Sequence, residues 1–128
     1  MAKRTKTRKP LEDILASCSE TLFPAELGAA RVTLDSRSSD GDTPLHDALW
    51  RDDTYAVLRF IEAGADVNAQ GNMLETPLHI AVRKKNLAVV EALLSAGADV
   101  SIMSEFGQSP KSLAEAEGGS LRRLFLNK

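Results

Sequence analysis

The chain has 128 residues, of which 43% are hydrophobic and 27% are charged, and its formal net charge is −2. This composition excludes a disordered chain and indicates one ordinary soluble domain with a hydrophobic core. No apolar run approaches the roughly 18 residues of a membrane helix, and the single cysteine cannot form an internal disulfide, which favours a reducing compartment.

The first ten residues form a basic segment. Five of them are lysine or arginine and none is acidic: Lys3, Arg4, Lys6, Arg8 and Lys9. The rest of the chain has 11 basic and 18 acidic residues, a formal charge of −7. We interpret residues 1–10 as a disordered, solvated tail, and a nuclear address or a contact with nucleic acid or a membrane surface is the alternative. The predicted location is cytoplasmic, or nuclear if the tail is a localisation signal.

Residues 11–39 are predicted to form helices that cap the N-terminal end of the fold. Apolar side chains recur there at helical spacing: Leu11, Ile14, Leu15, Cys18 and Leu22. Pro24 ends that helix or begins another that runs through residues 28–32. A free cysteine on the apolar face of a helix is usually a small buried hydrophobe, so Cys18 is not a candidate nucleophile.

Two stretches of the chain recur 33 residues apart. T-P-L-H-D-A at 43–48 returns as T-P-L-H-I-A at 76–81, and E-A-G-A-D-V at 62–67 returns as S-A-G-A-D-V at 95–100. A third start, S-P-K-S-L-A, occupies residues 109–114. Such a repeat is typical of a solenoid, in which each unit buries its apolar face against its neighbours, and solenoids mostly bind other macromolecules.

Each unit is predicted to form a helix, a reversal and a second helix. N-cap residues precede a proline at each start, and a small side chain recurs inside each first helix: Thr43, Thr76 and Ser109, followed by Ala48, Ala81 and Ala114. The second helices carry an apolar stripe, and Gly64 and Gly97 stand where a C-cap favours a left-handed residue. The pattern predicts an all-α solenoid of stacked helix-turn-helix units joined by β-hairpin-like loops.

These landmarks resemble those of the ankyrin-repeat family. The family pattern is D-G-x-T-P-L-H-x-A-A, a second helix ending in L-L, and then G-A-D-x-N. Residues 40–68 follow it closely, and residues 73–101 follow it nearly as well. The resemblance implies two full repeats, 40–72 and 73–105, between atypical capping repeats at 11–39 and 106–128.

The second unit departs from this pattern at its hairpin tip. Leu74 stands where the family has a glycine. Because Gly71 or Asn72 just upstream is better suited to a positive φ, we expect one of them to take it and the tip to be reshaped.

The third unit departs further. Lys111 and Ser112 replace the leucine and histidine of the motif, and Arg122 and Arg123 stand where the family has paired valines. The second helix of this unit must therefore slip its register or face solvent, as expected of the polar cap that ends a solenoid.

His46 and His79 both occupy the histidine position of the T-P-L-H motif. A metal site or an acid–base pair is disfavoured, because the repeat itself sets their spacing and nothing supplies a third ligand. The resemblance implies that each bridges backbone groups between neighbouring units. The sequence also has no nucleophile elbow and no phosphate-binding glycine loop, so we predict no enzyme activity, no cofactor and no metal.

The resemblance implies that a protein partner contacts the hairpin tips and the exposed ends of the first helices. Mapped residue by residue, the predicted partner-binding positions are Asp40, Asp42, Trp50, Arg51, Met73, Glu75, Arg83, Lys84, Phe106 and Gln108. Trp50, Met73 and Phe106 come from successive units. They either form one exposed apolar strip that binds the partner, or pack onto the inter-repeat core and their own hairpins.

The first unit is acidic where the second is basic. The charges are those of Asp40, Asp42, Asp47, Asp52 and Asp53 against Arg83, Lys84 and Lys85. This polarity either orients a partner of matching charge or is an ordinary solvated surface.

The leading interpretation is a non-enzymatic adaptor that binds an unidentified protein and is a monomer when free. One alternative is an inhibitor, such as an immunity protein or antitoxin, whose acidic first repeat blocks a basic partner enzyme. The other alternative is contact with nucleic acid through the basic tail, which the acidic body of the chain disfavours.

Overall fold

The computed structural model describes residues 11–16, 18 and 33–126. The predictions for residues 1–10, 28–32, Leu22 and Pro24 lie outside this part of the chain. The helices are α1 (Leu11–Ala16), α2 (Pro44–Trp50), α3 (Thr54–Glu62), α4 (Pro77–Lys84), α5 (Leu87–Ser95), α6 (Pro110–Glu117) and α7 (Gly119–Leu124), with a 3₁₀ helix at Asn72–Leu74. No β-strand occurs among the described residues.

The helices form two layers. The inner layer stacks α2, α4 and α6, and the outer layer stacks α3, α5 and α7, with each inner helix also packed against the outer helix that follows it. Helix α1 packs against α3. This arrangement confirms the predicted all-α solenoid, in which each unit is held by its neighbours.

The hydrophobic core lies between and within the two layers. Ala48, Ala81 and Ala114 recur at one position of the inner helices and are fully buried, so the inner helices can approach closely. The outer helices contribute larger buried side chains, chiefly Phe60 of α3 and Leu93 of α5. The predicted apolar stripe of the second helices therefore faces the core.

All three inner helices begin at the predicted N-caps. The side chains of Thr43, Thr76 and Ser109 each accept a hydrogen bond from the backbone N–H three residues on. In the third unit the Ser109 N–H in turn donates to Ser112 Oγ at 2.9 Å. Ser112 thus completes the cap in place of the histidine of the other units.

Each loop ends in a tip, which we define as tip 1 (38–42), tip 2 (71–75) and tip 3 (104–108). In each tip the first backbone N–H donates to the last carbonyl: Ser38 to Asp42 at 2.9 Å, Gly71 to Glu75 at 2.8 Å and Ser104 to Gln108 at 2.8 Å. The loops are therefore hairpin-like at their tips, as predicted, although the described part of the chain has no strand pairing beside them.

Tip 2 is reshaped, as predicted, but by other residues than expected. Leu74 itself takes the positive φ, at 59°, and Met73 precedes it at 61°, whereas Gly71 has a φ of −102°. The glycine is required instead for a close approach. A Cβ on Gly71 would overlap Asp42 Oδ1 and lie 2.9 Å from His46 Nε2. The expectation that Gly71 or Asn72 takes the positive φ is therefore wrong.

Gly71→Ala is expected to lower the free energy of unfolding by about 1–3 kcal/mol, because the added methyl group displaces the Asp42 carboxylate and presses on the buried ring of His46. Urea melts of the single variants and of Asp42→Ala/Gly71→Ala measure this effect. The double variant should lose less than the sum of the two single losses. A strictly additive result would show that the overlap is not the cause.

Helix α7 shows the predicted register slip. Leu121 and Phe125 are buried, whereas Arg122 and Arg123 are exposed. Val89, the first buried residue of α5, corresponds to Arg122 in the 33-residue repeat. In α7 the first buried residue is Leu121, one position earlier. The shift keeps apolar side chains in the core and places both arginines in solvent, which suits the last unit of a stack.

Candidate functional site

The most exposed apolar side chains of the loops gather on tips 2 and 3 and on the residue just before tip 3. We call this group the tip cluster, and it consists of Met73 (45% exposed), Leu74 (49%), Met103 (57%) and Phe106 (61%). Two of the four, Met73 and Phe106, are predicted binding residues. The structure therefore brings these two onto neighbouring tips and adds two apolar neighbours.

Hydrogen bonds between the units hold the tip cluster together. The Glu105 N–H of tip 3 donates to the Met73 carbonyl at 2.8 Å. The Gln70 side-chain amide donates to the Leu74 carbonyl at 3.0 Å and to the Met103 carbonyl at 3.2 Å. The carbonyls of Met73, Leu74 and Met103 are thus all held by hydrogen bonds, and Phe106 directly follows the donor Glu105.

Met103 was missed by the sequence analysis, although the 33-residue register contains a signal for it. The same register position holds Arg37 and Gln70, whose side chains each donate to a carbonyl of the next unit. Arg37 donates to the Gln70 carbonyl at 2.7 Å. Methionine has no such donor. The series of donors therefore ends at an exposed apolar side chain.

Trp50 lies apart from the tip cluster. His46, in the first turn of α2, bonds to tip 2, whereas Trp50 is the last residue of α2, so the rise of the helix carries it away from the tips. Lys84 lies against Trp50, with its Nζ 5.7 Å from the ring centroid and 3.3 Å from the Trp50 carbonyl oxygen. The predicted single strip is therefore divided between the tips and the ends of the inner helices.

Glu75 is not on the surface, contrary to the prediction that it is an exposed tip residue. Its side chain is buried, and Arg83 Nη2 lies 2.6 Å from Glu75 Oε2. The same guanidinium nitrogen donates to Gln108 Oε1 at 3.3 Å. Because α4 places Arg83 beside tip 2, the carboxylate is desolvated and paired inside the fold.

Arg51, another predicted binding residue, contacts buried groups of the fold. Its Nε lies 2.9 Å from Asp47 Oδ2, and its Nη2 lies 3.3 Å from Cys18 Sγ. Cys18 is fully buried, as predicted. Desolvation of the buried Asp47 raises the pKa of its carboxyl, and the hydrogen bond from Cys18 and the charge of Arg51 oppose this rise.

Most of the acidic side chains of the first unit are engaged within the structure. Asp42 accepts from the Asn72 N–H at 2.8 Å, and Asp53 caps α3 by accepting from the Ala56 N–H at 3.1 Å. Asp52 pairs with Lys84 at 3.3 Å, which joins the acidic first unit to the basic second unit. Most of the predicted acidic charge is therefore hydrogen-bonded or paired within the fold, and one ion pair joins the acidic unit to the basic one.

The two histidines bridge units as the resemblance implied. His46 Nδ1 accepts from the Thr43 N–H at 3.1 Å, so Nε2 carries the proton and donates to the Glu75 carbonyl at 2.9 Å. His79 repeats this arrangement toward the Gln108 carbonyl at 2.8 Å. Burial lowers the pKa of both imidazoles, more than their bonds to these carbonyls raise it.

We expect the free energy of unfolding to fall as the pH is lowered below about 6.5, because the unfolded histidines bind protons at their ordinary pKa while the folded ones do not. The loss should approach about 1.4 kcal/mol per pH unit for each histidine. Asp47, whose pKa is raised, acts in the opposite direction at more acidic pH.

Urea melts between pH 7.5 and 5.5 measure this dependence. His79→Gln should remove one histidine's share of the slope. Equal stability across this range, or imidazole NMR titrations at the ordinary pKa, would contradict the predicted pKa direction.

Among the described residues, no group of three or more His, Cys, Asp or Glu side chains is placed to hold a metal ion. None of the described helices combines the length and the hydrophobicity that a membrane crossing requires. The described residues thus form a stacked scaffold with an exposed surface. Most of the polar side chains discussed above bond to other groups of the fold.

Comparison with known families supports this interpretation of the scaffold. The family model for ankyrin repeats, in three copies, matches residues 15–104. The search of curated proteins gave no match.

Proposed function

The chain belongs to the ankyrin-repeat family, and we propose that it is a non-enzymatic module that binds a protein partner through its tips and the concave face of its inner helices. Ankyrin repeats are generally protein–protein interaction modules. The match covers residues 15–104, which include tips 1 and 2 and inner helices α2 and α4.

The tip cluster is the observation that carries the proposal. Its four large apolar side chains are about half exposed, so the packing of the units does not use them fully. Methionine and aromatic residues are enriched at the centres of protein interfaces, and a contiguous exposed apolar patch marks such a site. The hydrogen bonds between the tips fix the backbone, which lowers the entropy lost on binding.

The structure favours an adaptor over an inhibitor. The inhibitor alternative depends on a strongly acidic first unit, but Asp47 is buried against Arg51 and Asp52 is paired with Lys84. Of the five carboxylates, Asp40 and Asp52 are exposed, and the charge of Asp52 is balanced by Lys84, so the exposed surface of the first unit is less acidic than its sequence implies. A contact with nucleic acid would depend on residues 1–10, outside the described residues. We also propose a cytoplasmic location, because a chain with a single cysteine cannot form an internal disulfide and is typical of a reducing compartment.

The test is affinity capture from a lysate of the native cell with three folded baits. Wild type is compared with Met73→Ser/Phe106→Ser in the tip cluster and with Tyr55→Ser/Leu87→Ser on the outer helices, whose side chains are also about 40% exposed. Wild type and the outer-helix variant should capture the same protein, and the tip variant should lose it. Equal capture by all three baits would show that the tips are not the binding site.

A further inference from the structure

Tip 2 has a backbone conformation that its sequence disfavours. Met73 and Leu74 have φ values of 61° and 59°, in the left-handed region. The position of Leu74 is a glycine in the other two tips, Gly41 at 94° and Gly107 at 74°. Residues with a Cβ are strained in this region, so tip 2 has two strained residues, whereas tips 1 and 3 each have a single left-handed residue, which is a glycine.

Burial does not compensate for this strain. The side chains of Met73 and Leu74 are 45% and 49% exposed, so both project from the tip instead of filling the core. Strained residues that pack little tend to occur at functional sites, where the conformation itself is used. The strain therefore indicates that tip 2 is shaped to present these two side chains.

Hydrogen bonds hold tip 2 rigidly between its neighbours. The Leu74 N–H donates to the Gly71 carbonyl at 2.9 Å. The Asn72 N–H donates to Asp42 Oδ1 of tip 1 at 2.8 Å, and the Met73 carbonyl accepts from the Glu105 N–H of tip 3. Because tip 2 is fixed on both sides, Met73 and Leu74 form a preorganised apolar projection.

Each of the two tips beside this projection carries an exposed carboxylate. Asp40 on tip 1 and Glu105 on tip 3 are exposed. Arg37 near tip 1 keeps its positive charge and is held by hydrogen bonds to two carbonyls, those of Gly41 at 2.9 Å and Gln70 at 2.7 Å, and Arg83 below tip 2 is paired with Glu75. The exposed carboxylates of the two neighbouring tips therefore outnumber the one unpaired cation. A partner that contacts the apolar projection would therefore meet a carboxylate on either side of it, which favours Lys or Arg at these positions.

We infer that Met73 and Leu74 determine the specificity of this surface and that they contact a peptide segment in which an apolar side chain is flanked by Lys or Arg. The inference rests on the proposed function, since it names the site and the chemistry of the partner. It also implies that Leu74 lowers the stability of the fold and strengthens binding to the partner.

The test uses Met73→Asp/Leu74→Gly, which gives tip 2 the Asp-Gly pair of tip 1. A phage-displayed library of random peptides is selected on wild type, and the affinity of the enriched peptides is then measured for wild type, for the tip 2 variant and for Leu87→Ser on the outer face. The enriched peptides should combine apolar residues with Lys or Arg. They should bind the tip 2 variant at least about tenfold more weakly and Leu87→Ser as tightly as wild type.

The same tip 2 variant should have a higher urea midpoint than wild type, because Leu74→Gly relieves the left-handed strain. A more stable protein that binds less tightly is not expected if Met73 and Leu74 only pack the tip. A lower midpoint, or enriched peptides that are acidic, would overturn the inference.

The remaining outcomes separate this inference from the proposed function. The peptides are also measured on Trp50→Ser. Peptides that lose binding to Trp50→Ser but not to the tip 2 variant would overturn the inference and leave a concave-face binding module. Peptides that lose binding only to Leu87→Ser would overturn both. A library without any binder, or a wild-type dimer that the tip 2 variant dissociates, would also overturn the inference.

Discussion

Leu93→Ala is expected to lower the free energy of unfolding by about 2–5 kcal/mol and to destabilise every unit together. Leu93 is fully buried on α5, the outer helix of the central unit. Helix α5 packs against α3 and α7 in the outer layer and against α4 in the inner layer. A cavity at this position therefore weakens the contacts of both neighbouring units, which depend on the central unit for support.

Two probes measure whether this loss is cooperative. Urea unfolding is followed by circular dichroism, which reports all helices, and by the fluorescence of Trp50, which reports the first unit. Both transitions of Leu93→Ala should shift together to lower urea. Leu87→Ala on the same helix is the matched control, and because Leu87 is 40% exposed it should change stability by less than about 1 kcal/mol. A fluorescence transition that stays in place would contradict cooperative unfolding.

The sequence predicts the helices well because their signals are local. Thr43 and Thr76 bond to groups three residues away, so the T-P-L-H motif contains the whole cap. Gly64 and Gly97 follow the outer helices with a φ of 94° each, as their position predicts. Repetition at 33 residues then fixes the stacking order, since identical units can bury their faces only against each other.

The candidate site was predicted less completely because its properties depend on contacts across units. Glu75 has the position of an exposed tip residue, and its burial follows from the placement of Arg83 on the next helix. The positive φ of Leu74 accompanies a close contact between Gly71 and Asp42, which are far apart in sequence. Conformational propensity favours glycine at the left-handed position that Leu74 occupies. Gly71 is needed instead at its own position, where a Cβ would overlap Asp42.

The division of the predicted apolar strip has a similar origin. Trp50, Met73 and Phe106 come from successive units, but Trp50 ends an inner helix while the other two lie on tips. Residues 33 positions apart therefore lie at equivalent places in neighbouring units, as Met73 and Phe106 do on tips 2 and 3. The same register distinguishes Trp50, whose register positions in the next units are Arg83 and Ala116.

Arg83→Met is expected to lower the free energy of unfolding by about 2–3 kcal/mol, because it leaves the buried carboxylate of Glu75 without its cation. This value lies below the range for fully buried pairs, since the side chain of Arg83 is 35% exposed. Glu75→Gln/Arg83→Met should recover part of the loss, because a neutral amide is cheaper to bury than an unpaired carboxylate.

The control is Lys85→Met, which breaks the exposed pair between Lys85 and Glu117 and should change stability by less than about 1 kcal/mol. Urea melts of the three variants give the comparison, and a loss in Arg83→Met no larger than that in Lys85→Met would show that Glu75 does not need its partner.

Arg83 is also a predicted binding residue, so its variant must be assayed for capture at a temperature where it stays folded. If the folded Arg83→Met variant still captures the partner, the guanidinium acts by holding tip 2 to α4 through Glu75, and the specificity of the surface depends on the apolar tips.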